Sequence, residues 1–277
     1  MALICSICDM SAWKNNIVAF ADMLRKSGLG PGLCGSLLYP MSSYLLNITP
    51  RIDYFFWLLS VSTLYYHIAF LQSSLKKQLA TIYRREGNPY PVLLIFLLFI
   101  SLLLTIKMRS ILLSGYPILF FLSGIFFLLS YPTLRHVPFL KNGWIASCWW
   151  VYSVFYPLQN IWLTADVMLI LTGIELWLFL FIISLLADIP DMKADNLSQA
   201  KTWAIITPQA VRNQLMILLW IIDSFLLFLL WYFSVVPLVL IGLNGLVVWL
   251  FKQWKPEAIA YPLFDFFIVI RFLLLVA

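Results

Sequence analysis

Charged residues are scarce in this chain. Asp, Glu, Lys and Arg together make up 11% of its 277 residues, whereas 63% are hydrophobic. Soluble domains carry roughly 25% charged residues. They also lack repeated apolar runs that are long enough to cross a membrane. The shortage of charge therefore excludes an ordinary soluble protein and predicts a polytopic integral membrane protein.

Cysteine is also rare, with four in the chain. Cys34 and Cys148 stand alone in apolar runs, where packing is the simplest interpretation. Cys5 and Cys8 have C-x-x-C spacing, but no second pair completes a tetrahedral metal site. Spacing alone is a weak indication, so the cysteines give little support to a redox or metal role.

Long apolar runs fill most of the sequence. Because a spanning helix needs roughly 20 apolar residues, the runs predict about nine spans. They lie near 30–48, 53–74, 90–106, 110–131, 144–160, 164–187, 208–232, 234–251 and 262–277. The expected fold is a single all-α transmembrane domain over 1–277. Within it, 1–29 forms an N-terminal segment that contains an amphipathic helix lying along the membrane surface.

Lys and Arg are distributed unequally over the predicted loops. Most of the 18 fall on the side of the membrane that holds the N-terminus. Because cytoplasmic loops carry the excess of basic residues, we expect a cytoplasmic N-terminus and a C-terminus on the opposite side. The net charge of +6 thus reports topology and not nucleic-acid binding. The N-terminal residues also lack the basic region that precedes the apolar core of a cleavable signal peptide.

The inner loops are the longer and more polar ones. They cover 75–89, 132–143 and 188–207, whereas most outer connections have only a few residues. Binding and catalytic residues concentrate on loops that a rigid scaffold positions. Any active chamber is therefore expected to open toward the cytoplasm.

Three of the 12 acidic residues lie within the eight positions that follow the sixth predicted span. Acids beside hydrocarbon are costly, so Asp188, Asp191 and Asp195 form a candidate functional site. Spacings of three and four residues place them on one helical face. Such carboxylates suit a hard divalent cation such as Mg²⁺. The alternative is a solvated acidic loop, neutralised by Lys193 and Lys201.

Three further acids lie inside predicted spans: Glu175, Asp223 and Asp265. Ionisable residues at such positions face the interior of a bundle. The simplest interpretation is hydrogen bonding between helices, with Arg271 as a candidate partner. They also raise the hypothesis of a transporter, although the sequence shows no sign of inverted repeats or paired broken helices.

The acidic string resembles a motif of a known family. Asp188-Ile-Pro-Asp191-x-x-x-Asp195, followed by Lys201-Thr202, is similar to the second Asp-rich motif of the UbiA superfamily of intramembrane prenyltransferases. The residue pattern is most similar to that of the quinone- and tocopherol-type aromatic prenyltransferases. Its place after the sixth span is also the family's.

A second stretch adds to the resemblance. Tyr131-Pro-Thr-Leu-Arg135, continued by Lys141-Asn142, is similar to a family stretch that enters the fifth helix. The resemblance implies a helical bundle around a central cavity that opens to cytoplasm and lipid. It also implies that a prenyl diphosphate is ionised and that a lipophilic acceptor, aromatic in part of the family, captures the carbocation.

The resemblance implies roles for individual residues as well. Asp188, Asp191 and Asp195 would be both catalytic and metal-binding, with Mg²⁺ as the cofactor. The candidates for substrate binding are Lys201, Arg84, Arg85, His67, Gln72, Lys141 and Asn142.

The family's first Asp-rich motif is missing from this chain. Residues 65–74 take its place at the inner end of span 2, and no Asp occurs between Asp53 and Asp166. His67 and Gln72 are the candidates to substitute for it, although imidazole and amide are poorer ligands for Mg²⁺ than carboxylate. Two hypotheses follow. One is a UbiA-type prenyltransferase, and the other is a catalytically degenerate homologue that binds a lipid or pigment or serves as an assembly subunit.

Overall fold

The described part of the chain is helical throughout its regular elements. The computed structural model describes residues 29–46, 48–75, 90–107, 126, 130, 133–134, 137–155, 167–197, 201–233, 235–253 and 262–276. In chain order the helices are α1 (Leu29–Leu45), α2 (Ile52–Leu75), α3 (Tyr90–Lys107), α4 (Leu140–Trp150), α5 (Val167–Leu197), α6 (Trp203–Ile206), α7 (Gln209–Tyr232), α8 (Val239–Gln253) and α9 (Pro262–Val276). Most of the predicted segment 110–131 lies outside these ranges.

The helices belong to two compact units. The described parts of 1–36 and 56–106 form the first unit, and those of 37–55 and 107–277 form the second. The second unit contains α4 to α9, and with them the acidic string and the Lys141-Asn142 stretch.

Two stretches of the described chain are long and apolar enough to cross a membrane. They are Val167–Ile189 in α5 and Gln209–Tyr232, which is the whole of α7. Ile95–Lys107 and Phe267–Val276 are shorter apolar helical stretches. By length and composition the chain thus has helices that suit a bilayer, whose hydrocarbon core requires about 20 residues of helix.

The helix α7 has two apolar sides with different surroundings. Met216, Trp220 and Leu227 are buried at spacings of four and seven residues, which places them on one side. On the other side, Ile221 and Phe225 are 57% and 59% exposed. A helix at the surface of a soluble protein carries polar residues there. The exposed apolar side is what contact with lipid requires.

The helix α5 extends further than the sequence indicates. The predicted span ends at Ala187 and is followed by a loop over 188–207, but the helix continues to Leu197. The prediction of a loop is therefore wrong for 188–197. The end of the apolar run does not end the helix, because the Met, Lys and Ala that follow have high helix propensity.

A wider helical turn ends α4. The residues Val151–Phe155 form a π-helix, and two of their carbonyl groups accept hydrogen bonds from side chains of the second unit. Tyr54 donates to the carbonyl of Tyr152 at 2.7 Å, and Ser42 donates to that of Ser153 at 3.0 Å. These bonds satisfy carbonyl groups of a turn type that breaks the regular helical pattern.

The acids predicted inside spans connect neighbouring helices. Glu175 and Asp223 are 0% exposed. Arg271 donates to Glu175, and the Asn244 amide donates to Asp223 at 2.7 Å. The interpretation as interhelical hydrogen bonding, with Arg271 as a partner, is thus confirmed for Glu175 and Asp223. The side chain of Asp265 lies outside the described residues.

In the first unit, α1 and α2 approach each other closely at Gly32. Ser62 donates a hydrogen bond to the carbonyl of Gly32 at 3.2 Å. A Cβ added to Gly32 would lie 2.4 Å from Oγ1 of Thr63 and 2.9 Å from its backbone nitrogen. Small residues permit such contacts between helices in membranes.

We predict that Gly32→Ala destabilises the protein by about 1–3 kcal/mol, because a backbone atom cannot move aside as a flexible side chain can. The measurement is the free energy of unfolding in mixed detergent micelles. The matched control is Gly242→Ala in α8, where an added Cβ meets nothing within 4 Å. The control is expected to be neutral, or stabilising by up to about 1 kcal/mol, because Ala has the higher helix propensity. Equal effects of the two substitutions would contradict the close approach.

Candidate functional site

The acidic residue Asp188 is buried and paired. Its carboxylate lies 2.5 Å from the ammonium nitrogen of Lys141, and the two side chains are 5% and 17% exposed. The alternative of a solvated acidic loop, neutralised by Lys193 and Lys201, is therefore wrong for Asp188. Its counter-ion comes from α4, 47 positions earlier in the chain.

Asn142 completes the surroundings of this carboxylate. Its Nδ2 donates to Oδ2 of Asp188 at 3.0 Å, while Lys141 holds Oδ1. The same Nδ2 lies 2.9 Å from the carbonyl oxygen of Ser184 and 3.2 Å from its hydroxyl. Three acceptors around one nitrogen fix the orientation of the amide. The Oδ1 of Asn142 is buried and accepts no hydrogen bond from the described residues.

The pair Lys141 and Asn142 occupies the first turn of α4. A helix N-terminus carries partial positive charge, which stabilises a nearby anion. Asp188 thus receives three stabilising contributions: the ammonium, the amide and the end of the helix. The same positive end of α4 favours any further anion that approaches Lys141 from its exposed side.

The backbone immediately before this pair is strained. Phe139 has φ 62° and ψ −39°, and it is the one non-glycine residue with positive φ in the described chain. The N–H of Leu140 donates to the carbonyl of Pro138 at 2.7 Å, which makes a γ-turn centred on Phe139. Positive φ costs a bulky residue roughly 1–3 kcal/mol. Strain of this kind is frequent beside functional sites.

The segment that follows α5 packs against α5 and near the N-terminal end of α4. Trp203 is fully buried, and its indole nitrogen donates to the carbonyl of Leu185 at 3.0 Å. Its ring lies 5.9 Å from that of Phe139. Arg212, at the start of α7, donates to the carbonyl of Ala204. The hydroxyl of Thr202, the residue before Trp203, is buried and has no hydrogen-bond partner among the described residues.

The structure unites some of the predicted site residues. It joins Asp188, Lys141 and Asn142 directly, which brings residues of the two motif-like stretches into contact. Asp191 and Asp195 lie on the same helix, at spacings that place them on one face with Asp188. Their side chains lie outside the described residues.

Among the other predicted substrate-binding residues, the structure describes the side chain of Lys201. Lys201 is exposed, at the start of the segment that leads to α6. His67 and Gln72 lie on α2, with side chains outside the described residues, and Arg84 and Arg85 fall outside them entirely.

Sequence reasoning did not select Ser184, Trp203 or Arg212 for this site. Ser184 is one helical turn before Asp188, a spacing that can mark a neighbour on the same face. Arg212 stands at the entrance of a predicted span, where a basic residue is expected for topology alone. Trp203 follows the Lys201-Thr202 pair, but it is one of 12 tryptophans and no sequence pattern distinguishes it from the others.

The role of Asp188 as a Mg²⁺ ligand stays a prediction. Both of its oxygens are occupied, one by an ammonium and one by an amide N–H. No group of three or more His, Cys, Asp and Glu in the described ranges is placed to hold a metal ion. Mg²⁺ binding by Asp191 and Asp195 stays a prediction, because their side chains are outside those ranges.

Comparison with family models, with curated proteins and with solved structures found no match for this chain. The resemblance to the UbiA superfamily therefore rests on the chain's own residues.

We predict that Asp188 and Lys141 are energetically coupled. Asp188→Asn or Lys141→Met each leaves a buried partner without its charge, so each is expected to cost roughly 2–3 kcal/mol. The double variant is expected to cost less than the sum of the two single variants. Equilibrium unfolding of the four proteins in mixed detergent micelles measures this coupling.

The control for this coupling is the pair of Arg51 and Asp53, in which the arginine is exposed and the aspartate half-buried. Their charged atoms are 3.0 Å apart, but the side chains are 55% and 19% exposed. Exposed pairs contribute about 0–1 kcal/mol. If Arg51→Met and Asp53→Asn couple as strongly as the buried pair, burial does not determine the strength of the Lys141–Asp188 interaction.

Proposed function

We propose that this protein is a UbiA-type intramembrane prenyltransferase. It would transfer a prenyl group from a prenyl diphosphate to a lipophilic acceptor, an aromatic one included. The contact of Lys141 and Asn142 with Asp188 carries the proposal. The two motif-like stretches resemble the family separately in sequence, and a shared site requires their side chains to meet.

The proposed architecture is a bundle of about nine spans around a central cavity, with a cytoplasmic N-terminus and a C-terminus on the opposite side. The lengths of α5 and α7 and the exposed apolar side of α7 support it. The unequal distribution of Lys and Arg over the loops supports the orientation. The whole of 1–277 would then form one transmembrane domain.

The proposed reaction breaks the allylic carbon–oxygen bond. The electron pair leaves with the diphosphate, the acceptor supplies the pair for the new carbon–carbon or carbon–oxygen bond, and the acceptor loses a proton. A departing diphosphate accumulates negative charge, which fixed cationic groups stabilise. Lys141 suits this task because Asp188, which Asn142 orients, holds its ammonium in place. Lys201 would contribute a second cation from the exposed segment. Mg²⁺ held by Asp191 and Asp195 would supply further neutralisation of the leaving group.

Asp188 would act as a positioning residue in this proposal. A lysine side chain has high rotamer entropy, and a fixed counter-ion removes most of it before substrate arrives. The orientation of Asn142, which three acceptors define, holds the carboxylate from the other side.

Two observations favour the second function, a catalytically degenerate homologue that binds a lipid or pigment or serves as an assembly subunit. Each oxygen of Asp188 already accepts a hydrogen bond from the chain itself, and the acids of the first family motif are absent from the sequence. A site of this kind retains its structure without a metal-bound substrate.

We predict that the purified protein releases diphosphate from prenyl diphosphates when Mg²⁺ and a phenolic or quinol acceptor are supplied. Asp191→Ala is expected to abolish the release, and removal of Mg²⁺ by a chelator to suppress it. Lys141→Met is expected to lower kcat roughly a hundredfold, as loss of a single preorganised stabilising group does. Diphosphate release and prenylated product are both measured.

The control variant is Asp53→Asn, which removes a half-buried carboxylate paired with Arg51 and should retain full turnover. Each variant is compared with the wild type for its unfolding transition, so that loss of fold is not taken for loss of activity. Turnover that persists in the Asp191→Ala variant would contradict the proposed site. Saturable binding of a prenyl diphosphate or lipid without turnover would support the degenerate homologue instead.

A further inference from the structure

A second polar cluster lies deeper in the second unit, apart from the site at Asp188. Glu175 on α5, Asp223 on α7, Asn244 on α8 and Arg271 on α9 are each at most 2% exposed. Glu175 precedes Asp188 by 13 positions on the same helix, which corresponds to about 20 Å along its axis. Four helices thus supply one cluster, and its two acids lie inside the two membrane-length segments.

Each carboxyl group in the cluster has one satisfied oxygen. Arg271 donates from Nη2 to Oε1 of Glu175, and its guanidinium carbon lies 4.1 Å from the ring centroid of Phe179. Asn244 donates to Oδ2 of Asp223 at 2.7 Å. The ring and the two donors fix where both acids lie.

The other oxygen of each carboxyl group is left unsatisfied. Oε2 of Glu175 and Oδ1 of Asp223 are buried and accept no hydrogen bond from the described residues. The turns of α5 and α7 that carry the two acids face each other: the rings of Phe179, four residues after Glu175, and of Trp220, three residues before Asp223, have centroids 6.3 Å apart. Two ionised carboxylates offer only acceptors, so no hydrogen bond can form between them until one carries a proton.

The balance of charge leads to the same requirement. The ionisable groups that meet here in the described chain are Glu175 on α5, Asp223 on α7 and Arg271 on α9, while α8 contributes the neutral Asn244. With both acids ionised, the cluster holds one uncompensated negative charge. Such a charge, removed from water, costs several kcal/mol. One bound proton removes it.

We propose that Glu175 and Asp223 form a proton-binding site in which the two carboxyl groups share one proton between Oε2 and Oδ1. The shared proton gives both unsatisfied oxygens a hydrogen bond and leaves one carboxylate to balance Arg271. Carboxyl pairs that face each other at close range hold a proton in this way, because both cannot ionise.

The site has a defined second state. Nε and Nη1 of Arg271 are buried donors without partners among the described residues. When the shared proton leaves, both carboxylates compete for these donors, so the bond by which Arg271 of α9 holds Glu175 of α5 changes. Intramembrane acids with an Arg partner are the groups that proton relays use.

Infrared difference spectroscopy of the purified protein in lipid nanodiscs tests the proposal. A carboxylic acid has a C=O stretching band that a carboxylate lacks, and the band shifts when the proton is exchanged for deuterium. The wild type is expected to show this band at neutral pH and to lose it on titration to high pH.

Two substitutions assign the band. Asp223→Asn and Glu175→Gln each leave one carboxylate to balance Arg271, so each is expected to remove the band without a second acid being protonated. Asp53→Asn, at the half-buried carboxyl group paired with Arg51, is expected to leave it unchanged. If one of the two variants fails to fold, the other decides the assignment. Absence of the band from the wild type at every pH, or its persistence in a folded variant, overturns the proposal.

Discussion

Buried polar groups in an apolar bundle must find their partners within the chain, because neither lipid nor a packed interior supplies hydrogen bonds. The helix α5 shows how far this requirement determines the second unit. Asp188 requires the first turn of α4, and Glu175 requires Arg271 of α9. Apolar side chains tolerate many alternative packings. Pairs of charges do not, so they define the register in which neighbouring helices meet α5.

The surroundings of Asp188 explain why a familiar acidic pattern can serve a different chemistry. A carboxylate that already holds an ammonium and an amide has little attraction left for a divalent cation. It does hold its lysine rigidly. The strained γ-turn at Phe139 adds to this, because it directs the chain into α4 immediately before Lys141. In the proposed prenyltransferase, part of the positive charge that neutralises the diphosphate would lie on a fixed ammonium at a helix N-terminus.

The sequence predicted an all-helical chain from its apolar runs, and the regular elements of the described residues are helical. It placed the end of α5 wrongly, since the hydropathy that defines a span says nothing about how far a helix continues into water. The partner of Asp188 was not predicted, because the sequence offered Lys193 and Lys201 only for the alternative of a solvated acidic loop. Lys193 and Lys201 are near in sequence, whereas Lys141 is near in space, and only the packing of α4 on α5 reveals it. The spacing of the acids identified Asp188 as a candidate site residue. Its charged partner, Lys141, is 47 positions away and could be found only from the structure.

The two polar centres on α5 differ in their charge balance, and this difference separates their chemistry. The pair of Asp188 and Lys141 is neutral and lies at the positive end of α4, so the next charge it favours is an anion. With both acids ionised, the cluster of Glu175, Asp223 and Arg271 would hold one negative charge in excess, so it favours a cation such as a proton. Both centres are attached to one rigid helix. A displacement of α5 that accompanies a change at one centre would therefore strain the hydrogen bonds of the other.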